Sequence, residues 1–298
     1  MNRQKTVIGS RGSKLALWQA EHIKSLLHRE YPDMEFEIRV IKTSGDLIQD
    51  TPPAKIGDKG LFTKEIEHAL LRKEIDLAVH SMKDLPTALP AELTIGAVLQ
   101  REDPRDSFVS YKYSAFDQLP ENATLATSSL RRRVNILHLR PDINIVDMRG
   151  NLDTRLRKLK ESDYDGMLLA AAGLLRLGLS ERITEIIPAQ RMLPAVAQGA
   201  LAVEIREDDP RMRKLLQPLY HTETFAAVTA ERAFLAELEG GCQVPVGALA
   251  TIEENHLYIE GFISDLNANK YLRKKLHGNS EDAKMIGTGL AQKLIDLG

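Results

Sequence analysis

Strand-like and helix-like patterns alternate along the first part of this chain, and this alternation limits its fold more than any other feature. Thr6–Ser10 has the pattern of a short strand. Ser13 can cap a following helix, because apolar residues recur with the helical period from Ala16 to Leu27. Phe36–Val40 then alternates apolar and polar residues, as a half-buried strand does. A β–α–β order of this kind favours a mostly parallel sheet with helices on its faces.

The same alternation continues along the chain. Further strands are expected at Ile75–Val79, Leu93–Val98, Leu125–Thr127, Asn144–Val146 and Met167–Ala170. Further helices are expected after Thr63, at Leu130–Leu139 and at Leu152–Leu159. After His221 the pattern changes to a helix over Val228–Leu238, an alternating segment from Leu257 to Ile263 and a last helix near Ala283–Leu297. No internal repeat is visible, and the predicted class is α/β with a small α+β region at the end.

The composition excludes several classes of protein. The chain has 298 residues with 40 Lys and Arg against 42 Asp and Glu, and its net charge of −2 argues against a dedicated nucleic-acid binder. A single cysteine excludes a disulfide within the chain and a zinc site built on several cysteines. The eight histidines show no metal-binding spacing, so no metal is predicted. The longest apolar run, Met167–Leu175, is too short to cross a membrane, and a cytoplasmic protein is therefore expected.

A long segment without periodicity, Lys42–Gly60, interrupts the first region and contains three glycines and two prolines. A loop of this length in a compact domain is usually functional or disordered. We interpret it as a mobile lid, with a flexible insertion that has no role as the alternative. The turn-rich sequence around Pro104 and the segment Pro194–Gly199 are expected to mark where the chain crosses into a second lobe and returns.

Hydroxyl groups and cations recur at the junctions between a strand and the following helix. These junctions are Ser10–Lys14, His80–Asp84, Thr127–Arg133 and Arg149–Asn151, the last followed one turn later by Arg155. In open α/β sheets, ligands bind beyond the carboxyl ends of strands, near helix N-termini. A cation in a first helical turn opposes the helix dipole by about 0.3–1 kcal/mol. Because such cations recur at several junctions, the sequence predicts a compensating polyanion in a cleft between two lobes. Each arginine taken singly is better explained by contact with solvent or with an acidic partner. The pattern does not distinguish carboxylates from phosphates.

Two single residues are candidates for chemistry. Cys242 lies in a Gly-Gly turn rather than in an apolar periodic run, and both a reactive thiolate and an inert thiol are open interpretations. Asp84 follows the predicted strand at Ile75–Val79 and adjoins Lys83, which suits acid–base or cation-stabilising work. A role in the turn before Pro86 is the alternative for Asp84.

Several motifs, spread over most of the chain, resemble those of one enzyme family. They are Ile8–Arg11 with Leu15–Ala20, Lys59–Glu65, Ala78–Pro86, Arg101–Asp106, Thr127–Arg133, Arg149–Leu159 and Glu239–Ala248. Each is weak alone, but their joint occurrence in this order is specific, and the last, EGGCQVPVGA, is close to diagnostic. The chain resembles the porphobilinogen deaminase family, whose members are also called hydroxymethylbilane synthases.

The resemblance implies an architecture of three domains. Two lobes similar to those of periplasmic binding proteins, with mixed, mostly parallel sheets, would comprise residues 1–99 with 200–217 and residues 100–199. A small α+β domain, residues 218–298, would carry the cofactor. The resemblance also implies a monomer.

The reaction and the cofactor follow from the same resemblance. Members join four porphobilinogen molecules head to tail with release of ammonia, and hydrolysis then frees the linear tetrapyrrole of porphyrin and haem biosynthesis. The primer is a dipyrromethane, one per chain, which the enzyme assembles from its own substrate. It would be attached through a thioether to Cys242, and the product would pass to uroporphyrinogen III synthase.

The resemblance assigns roles to the charged residues, because each pyrrole carries two carboxylates and a growing chain accumulates negative charge. Asp84 would be catalytic and would contact pyrrole N–H groups. The cofactor-binding residues would be Cys242, Ser81, Lys83, Asp84, Thr127, Ser129, Arg131, Arg132 and Arg155. The substrate-binding residues would be Arg11, Ser13, Arg149, Arg155 and Arg176, with Lys55 and Lys59 on the lid.

The chain departs from the family pattern at two positions, and two other functions stay open. Lys14 stands where the family often has Pro, and Ala197 stands where Gly is common, near an expected hinge. A two-lobed receptor for a small anion would explain the lobes without using Cys242. Nucleic-acid contact by Arg131–Arg133 is a third alternative, and the negative net charge argues against it.

Overall fold

The computed structural model describes residues 5–44, 63–238 and 245–298. The chain divides into two compact units, Met1–Arg101 with Ala200–Phe225 and Glu102–Gly199 with Ala226–Gly298. The predicted lid with Lys55 and Lys59, and the predicted cofactor residue Cys242, lie outside the described residues.

Strands and helices alternate through most of the described chain. The strands are β1 (Lys5–Ser10), β2 (Glu35–Val40), β3 (Leu77–Ser81), β4 (Leu93–Val98), β5 (Asp106–Val109), β6 (Thr124–Ala126), β7 (Asn144–Val146), β8 (Gly166–Ala170), β9 (Glu185–Ile186), β10 (Leu201–Arg206), β11 (Val246–Glu253), β12 (His256–Ser264) and β13 (Tyr271–Asn279). The helices are α1 (Lys14–Glu30), α2 (Lys64–Leu71), α3 (Leu130–Leu139), α4 (Leu152–Glu161), α5 (Ala171–Arg176), α6 (Pro210–Leu216), α7 (Thr222–Leu238) and α8 (Ala283–Ile295).

The first unit is built on a five-stranded sheet with the order β2-β1-β3-β10-β4. β1 runs parallel to β2 and β3, whereas β10 is antiparallel to β3 and β4. Ser13 begins α1 by accepting a hydrogen bond from the Ala16 N–H (3.3 Å), as the sequence predicts. The face of α1 with Ala20, Ile23 and Leu27 is fully buried in the core of this unit. The carboxyl ends of β1 and β3 therefore lie side by side, next to the N-terminus of α1.

The second unit contains a sheet that repeats this topology, with the order β7-β6-β8-β5-β9. β6 runs parallel to β7 and β8, and β5 is antiparallel to β8 and β9. The antiparallel strand comes late in the chain in the first sheet (β10) and early in the second (β5). The impression that nothing repeats is therefore wrong at the level of topology, because strand order depends on the apolar pattern and the connections rather than on residue identities.

The C-terminal part of the second unit is a three-stranded antiparallel sheet, β11-β12-β13, with α8 packed against one face. On the other face Phe262 stacks on Tyr271, and the Tyr271 hydroxyl donates to Asn135 Oδ1 in α3 (2.9 Å). Gly247 in β11 lies so close to the Pro194 carbonyl oxygen that a Cβ would be 2.7 Å from it. Only glycine fits at this contact, which seats the small sheet on the rest of its unit.

These observations confirm the predicted class, α/β with two mixed, mostly parallel sheets and a small C-terminal α+β region. α3 begins and ends where the sequence predicts, at Leu130 and Leu139. The apolar run Met167–Leu175 is split between β8 and α5. The helix predicted from Val228 begins earlier, at Thr222, so its predicted start is wrong.

Candidate active site

A small pocket, about 60 Å³ in volume, lies at the carboxyl ends of β1 and β3 in the first unit. The polar residues that line it include Arg11, Ser13, Gln19, His80, Ser81 and Asp84. It is next to the N-terminus of α1, the position at which open α/β sheets bind ligands. The structure thus gathers around one pocket four residues that sequence reasoning had placed in the site: Arg11, Ser13, Ser81 and Asp84.

Asp84 and Lys83 are presented on a single 3-10 turn, Met82–Asp84, directly after β3. Met82 and Leu85 are buried, and the Met82 N–H donates to the Ala200 carbonyl (3.0 Å). Lys83 and Asp84 are exposed. Because the two charged residues lie between two apolar anchors, the backbone of the turn is fixed while the carboxylate and the ammonium group stay accessible to a ligand.

The serines around the pocket also connect the sheet with α1. Ser81 Oγ accepts a hydrogen bond from Gln19 Nε2 in α1 (2.8 Å), and Gln19 is almost completely buried. Ser13 Oγ caps α1. Sequence reasoning had missed Gln19, although it lies within the motif Leu15–Ala20.

The second unit holds a different cluster, built around the fully buried carboxylate of Asp106 at the start of β5. Arg131 Nη1 donates to Asp106 Oδ2 (2.6 Å), and Arg132 Nη2 donates to Asp106 Oδ1 (2.8 Å). Gln198 Nε2 donates to the same Oδ1 (3.0 Å). Arg131 Nη1 also donates to the Leu193 carbonyl (2.8 Å). The two arginines predicted to bind cofactor are therefore buried beside an aspartate that sequence reasoning had not singled out.

The charges of this cluster do not cancel. Burial opposes ionisation of Asp106, but the guanidinium groups of Arg131 and Arg132 hold the pKa of this carboxyl well below its usual value. Burial lowers the pKa of Arg131, and Asp106 opposes that effect. Because arginine keeps its proton at neutral pH, one carboxylate faces two guanidinium groups.

One donor atom of this cluster is unused. Arg131 Nε is buried and has no hydrogen-bond acceptor within residues 5–44, 63–238 and 245–298. An excess positive charge beside an unused donor fits an anionic ligand that carries carboxylates.

Thr127 and Ser129 shape the start of α3, from which both arginines project. Thr127 is buried, and its Oγ1 accepts a hydrogen bond from the Ser129 N–H (3.2 Å). Ser129 Oγ accepts from the Arg132 N–H (3.4 Å) and so caps the helix. Thr127 and Ser129, which are predicted to bind cofactor, therefore precede Arg131 and Arg132 in the sequence and stabilise the start of the helix that carries both arginines.

Three more predicted arginines lie elsewhere in the second unit. Arg149 and Arg155 are half-buried, before and within the first turn of α4. Arg176 is only 9% exposed, and its Nη2 donates to the Gly199 carbonyl (2.6 Å). Burial lowers the pKa of Arg176 to about 10, and Glu102 opposes this effect. In this structure Arg176 therefore supports the backbone at the end of the segment Glu102–Gly199.

Five polar residues at these sites were not predicted as site residues, namely Gln19, Thr63, His80, Asp106 and Gln198. The sequence carried a signal for four of them, because all but Gln198 lie within the quoted motifs. Their partners are far away in the sequence, so the motifs alone did not reveal what they contact.

Family models match most of the chain. Residues 6–214 match the model described as porphobilinogen deaminase, dipyromethane cofactor binding domain. Residues 225–296 match the model described as porphobilinogen deaminase, C-terminal domain.

Individual relatives agree with the family models. The porphobilinogen deaminase of Syntrophomonas wolfei is 52% identical over 98% of this chain and 95% of its own length. That of Carboxydothermus hydrogenoformans is 49% identical over 99% of this chain and 95% of its own length. A periplasmic substrate-binding protein of an ABC transporter from Coxiella burnetii is similar in structure, with a TM-score of 0.47 and 14% identity over 76% of this chain and 96% of that chain. The chain belongs to the porphobilinogen deaminase family.

Membership confirms the resemblance and fixes the class of enzyme. The family consists of transferases of tetrapyrrole biosynthesis, the hydroxymethylbilane synthases, which act on porphobilinogen and have a dipyrromethane cofactor. Within the described ranges, none of the helices is long and apolar enough to cross a membrane.

Proposed function

We propose that this chain joins four porphobilinogen molecules head to tail, with loss of ammonia, on a dipyrromethane primer bound to Cys242 through a thioether. Hydrolysis then releases the linear tetrapyrrole and leaves the primer in place. The observation that carries this proposal is the pocket of the first unit, where Asp84, Arg11 and Ser81 meet at the carboxyl ends of β1 and β3. The sequence identity to porphobilinogen deaminases over nearly the whole chain supports it.

The cofactor, when bound, supplies the terminal pyrrole carbon to which the first substrate is joined. Its carboxylates would be held by the cations and hydroxyl groups of Ser81, Lys83, Thr127, Ser129, Arg131, Arg132 and Arg155. The excess positive charge around Asp106 and the unused Arg131 Nε support part of this assignment. Gly247, five residues after Cys242 in the sequence, packs beside the Arg131 side chain, which also supports it.

Cations and hydroxyl groups would also bind the substrate, whose carboxylates match their charge. The residues proposed for this role are Arg11, Ser13, Arg149, Arg155 and Arg176. Arg11 and Ser13 line the pocket, and Arg11 is half-buried, so its hydrogen bonds to a carboxylate would be only partly screened by water.

Asp84 is proposed as the catalytic residue. Its carboxylate lines the pocket on a turn anchored by Met82 and Leu85. A fixed carboxylate at this place stabilises positive charge on a pyrrole nitrogen and assists proton movement at the reacting carbon. Because the turn is already anchored, little reorganisation is needed when that charge develops.

The remaining parts of the proposal follow from the family resemblance. They are the three domains at residues 1–99 with 200–217, 100–199 and 218–298, the monomeric state, the cytoplasmic location, the lid with Lys55 and Lys59, and delivery of the product to uroporphyrinogen III synthase. Three separate sheets, one for each proposed domain, support the division of the chain.

Intact-mass spectrometry tests the covalent primer. The protein purified from a host that makes porphobilinogen is expected to exceed its polypeptide mass by one dipyrromethane, and Cys242→Ser is expected to have the polypeptide mass alone. Denaturation at neutral pH should leave the excess mass in place, because the attachment is covalent. An excess mass that persists in Cys242→Ser would refute attachment at this residue, and bare wild-type polypeptide with full activity would refute the covalent primer.

A further inference from the structure

Three titratable side chains lie together behind the pocket of the first unit, and the proposed function does not use them. His80 on β3 lines the pocket, and its Nε2 is 3.0 Å from Glu204 Oε2 on β10. Glu67 on α2 lies close enough for the charges of both residues to act on its carboxylate. His80, Glu204 and Glu67 are 5%, 0% and 7% exposed, so the proton-storage cluster, as we name these three residues, is buried.

The fold explains why these residues meet. In the antiparallel pair of β3 and β10, Ala202 is opposite His80 and Ala78 is opposite Glu204. His80 and Glu204 therefore point to the same face of the sheet, since opposite residues share a face and the next residue but one along a strand does too. α2 packs against both strands and brings Glu67 to that face.

Two carboxylate oxygens of the cluster have no hydrogen-bond partner within the described part of the chain, Glu67 Oε1 and Glu204 Oε1. A buried polar atom without a partner costs about 1–3 kcal/mol, and more when it is charged. Burial raises the pKa of Glu67, and the Glu204 carboxylate raises it further. Bound protons remove the part of this cost that comes from charge: two carboxyl groups and one imidazole reach zero net charge with two protons added to the fully deprotonated cluster.

Within the described residues, other charged groups lie on the elements around the cluster. They are Lys64, Glu65 and His68 on α2, Arg206 on β10, and Arg11 and Asp84 across the pocket. Arg206 is balanced by Asp209, to which it donates (2.9 Å). The proton count of the cluster is therefore set chiefly by its own members and by what occupies the pocket.

We propose that Glu67, His80 and Glu204 store a proton that His80 exchanges with the substrate in the pocket. The proposal rests on the proposed function, because each coupling breaks a C–N bond and later a pyrrole C–H bond. The nitrogen leaves with the electron pair of the C–N bond, and His80 donates the proton that makes it ammonia. The proton released from the pyrrole carbon returns to His80, and its electron pair stays in the ring. His80 is thus a catalytic residue beside Asp84, while Glu204 and Glu67 are positioning residues that fix its charge.

Steady-state kinetics of porphobilinogen consumption by the holoenzyme, between about pH 6 and 9, tests the proposal. His80→Asn is expected to lower kcat by about 10²-fold with KM nearly unchanged, because a general acid–base group acts in the transition state. Glu204→Gln and Glu67→Gln are expected to move the high-pH limb of the kcat profile to lower pH, since loss of a buried negative charge makes proton release easier. The larger move is expected for Glu204→Gln, because Glu204 contacts His80 directly.

Glu231→Gln is the matched control. Glu231 is also fully buried, but its Oε2 accepts from the Ala197 N–H (2.6 Å) and its Oε1 accepts from the Ala250 N–H (2.8 Å) in the second unit. Its substitution is expected to lower stability and to leave the high-pH limb where it is in the wild type. An equal shift in Glu231→Gln would overturn the proposal, because any buried glutamate would then produce the effect.

A second readout does not depend on activity. The pKa of Glu67 is raised in the folded protein above the value of 4.5 in the unfolded chain, so the folded state binds more protons above pH 4.5. The unfolding free energy of the wild type is therefore expected to fall as pH rises from 4.5 through the raised pKa. Glu67→Gln should remove this fall and so be more stable than the wild type at high pH.

The outcomes separate this proposal from the proposed function. Wild-type protein that does not consume porphobilinogen overturns both. If the wild type is active but Glu67→Gln and Glu204→Gln keep its pH profile, whatever their kcat, only the proton-storage role is overturned. A His80→Asn variant that raises KM and leaves kcat intact also overturns it, because His80 would then bind substrate without exchanging a proton.

Discussion

The two five-stranded sheets share one strand order, but the charged residues predicted for the site differ in exposure between them. In the first unit, Lys83 and Asp84 are exposed on an anchored turn beside a pocket. In the second unit, Asp106, Arg131 and Arg132 are buried and depend on one another. Removal of an exposed charge leaves its neighbours solvated, whereas removal of a buried one leaves its partners without compensation. With the same topology, the first unit therefore presents charged side chains that a ligand can reach, whereas the second unit fixes charged side chains by pairing them.

This difference in burial also changes how the cations at helix N-termini are interpreted. Their repetition along the sequence predicted a polyanionic ligand. At α3, one compensating anion is part of the protein, since Asp106 accepts from both Arg131 and Arg132. For one of the two arginine charges, the alternative interpretation of an acidic partner within the protein is therefore the right one. The polyanionic ligand stays a prediction for the remaining positive charge.

The largest expected effect is loss of stability in the second unit. Asp106→Ala leaves two buried guanidinium groups without their carboxylate and is expected to lower the unfolding free energy by about 3–5 kcal/mol. Urea-induced unfolding measures it. Asp103→Ala is the control, because the partly exposed Asp103–Arg105 pair should contribute about 1 kcal/mol or less.

The pH dependence of stability in a second variant, Asp106→Asn, sharpens this test. The pKa of Asp106 is lowered by folding, so its contribution to stability is present above the unfolded value of 3.8 and is lost as pH falls through the folded value. Asp106→Asn should therefore flatten the acid side of the stability curve. A cost below about 1 kcal/mol for Asp106→Ala would remove the contrast between the two units.

The second effect concerns rate in the first unit. Asp84→Asn is expected to lower kcat by about 10²-fold or more, because a carboxylate that stabilises a cation and moves a proton is lost. The unfolding free energy should change by less than about 0.5 kcal/mol, since Asp84 is exposed. Kinetics and thermal unfolding of one preparation measure both. The exposed Asp33, replaced in Asp33→Asn, provides the control, and a comparable loss of kcat there would contradict the assignment.

The smallest effect tests the departure at Ala197, which adopts a left-handed backbone with φ of 59°. Ala197→Gly relieves about 1–2 kcal/mol of backbone strain and loses about 0.4–1 kcal/mol through the entropy of the unfolded chain. The variant also loses a buried methyl group, worth about 0.8 kcal/mol, so a net change close to zero is expected in thermal unfolding. Ala195→Gly, two residues away, has no left-handed backbone to relieve and should lower stability by about 1 kcal/mol; an equal loss in both variants would show that backbone strain does not decide the outcome.

Much of the site was predictable because it lies in local motifs. Ser81, Lys83 and Asp84 are consecutive or nearly so, and a turn before Pro86 was one of the two interpretations of Asp84. The burial of Met82 and Leu85, which anchors that turn, was seen only in the structure. His80 and Asp106 were seen in motifs but had no role, because their partners Glu204 and Arg131 are distant in the sequence. Neither hydrophobic period nor capping identifies such a partner.

The sequence by itself determined the order of strands and helices, the junctions that carry cations and hydroxyl groups, and the family of the chain. Those features depend on neighbours in the chain, on apolar periodicity and on runs of specific residues. Only the tertiary structure decided which charges are buried and with what they pair. β10 places Glu204 beside His80, and β5 places Asp106 beneath α3, by contacts between strands that are remote in sequence. Burial and pairing arise from such long-range packing, and they determine whether a charge is free to react or fixed in place.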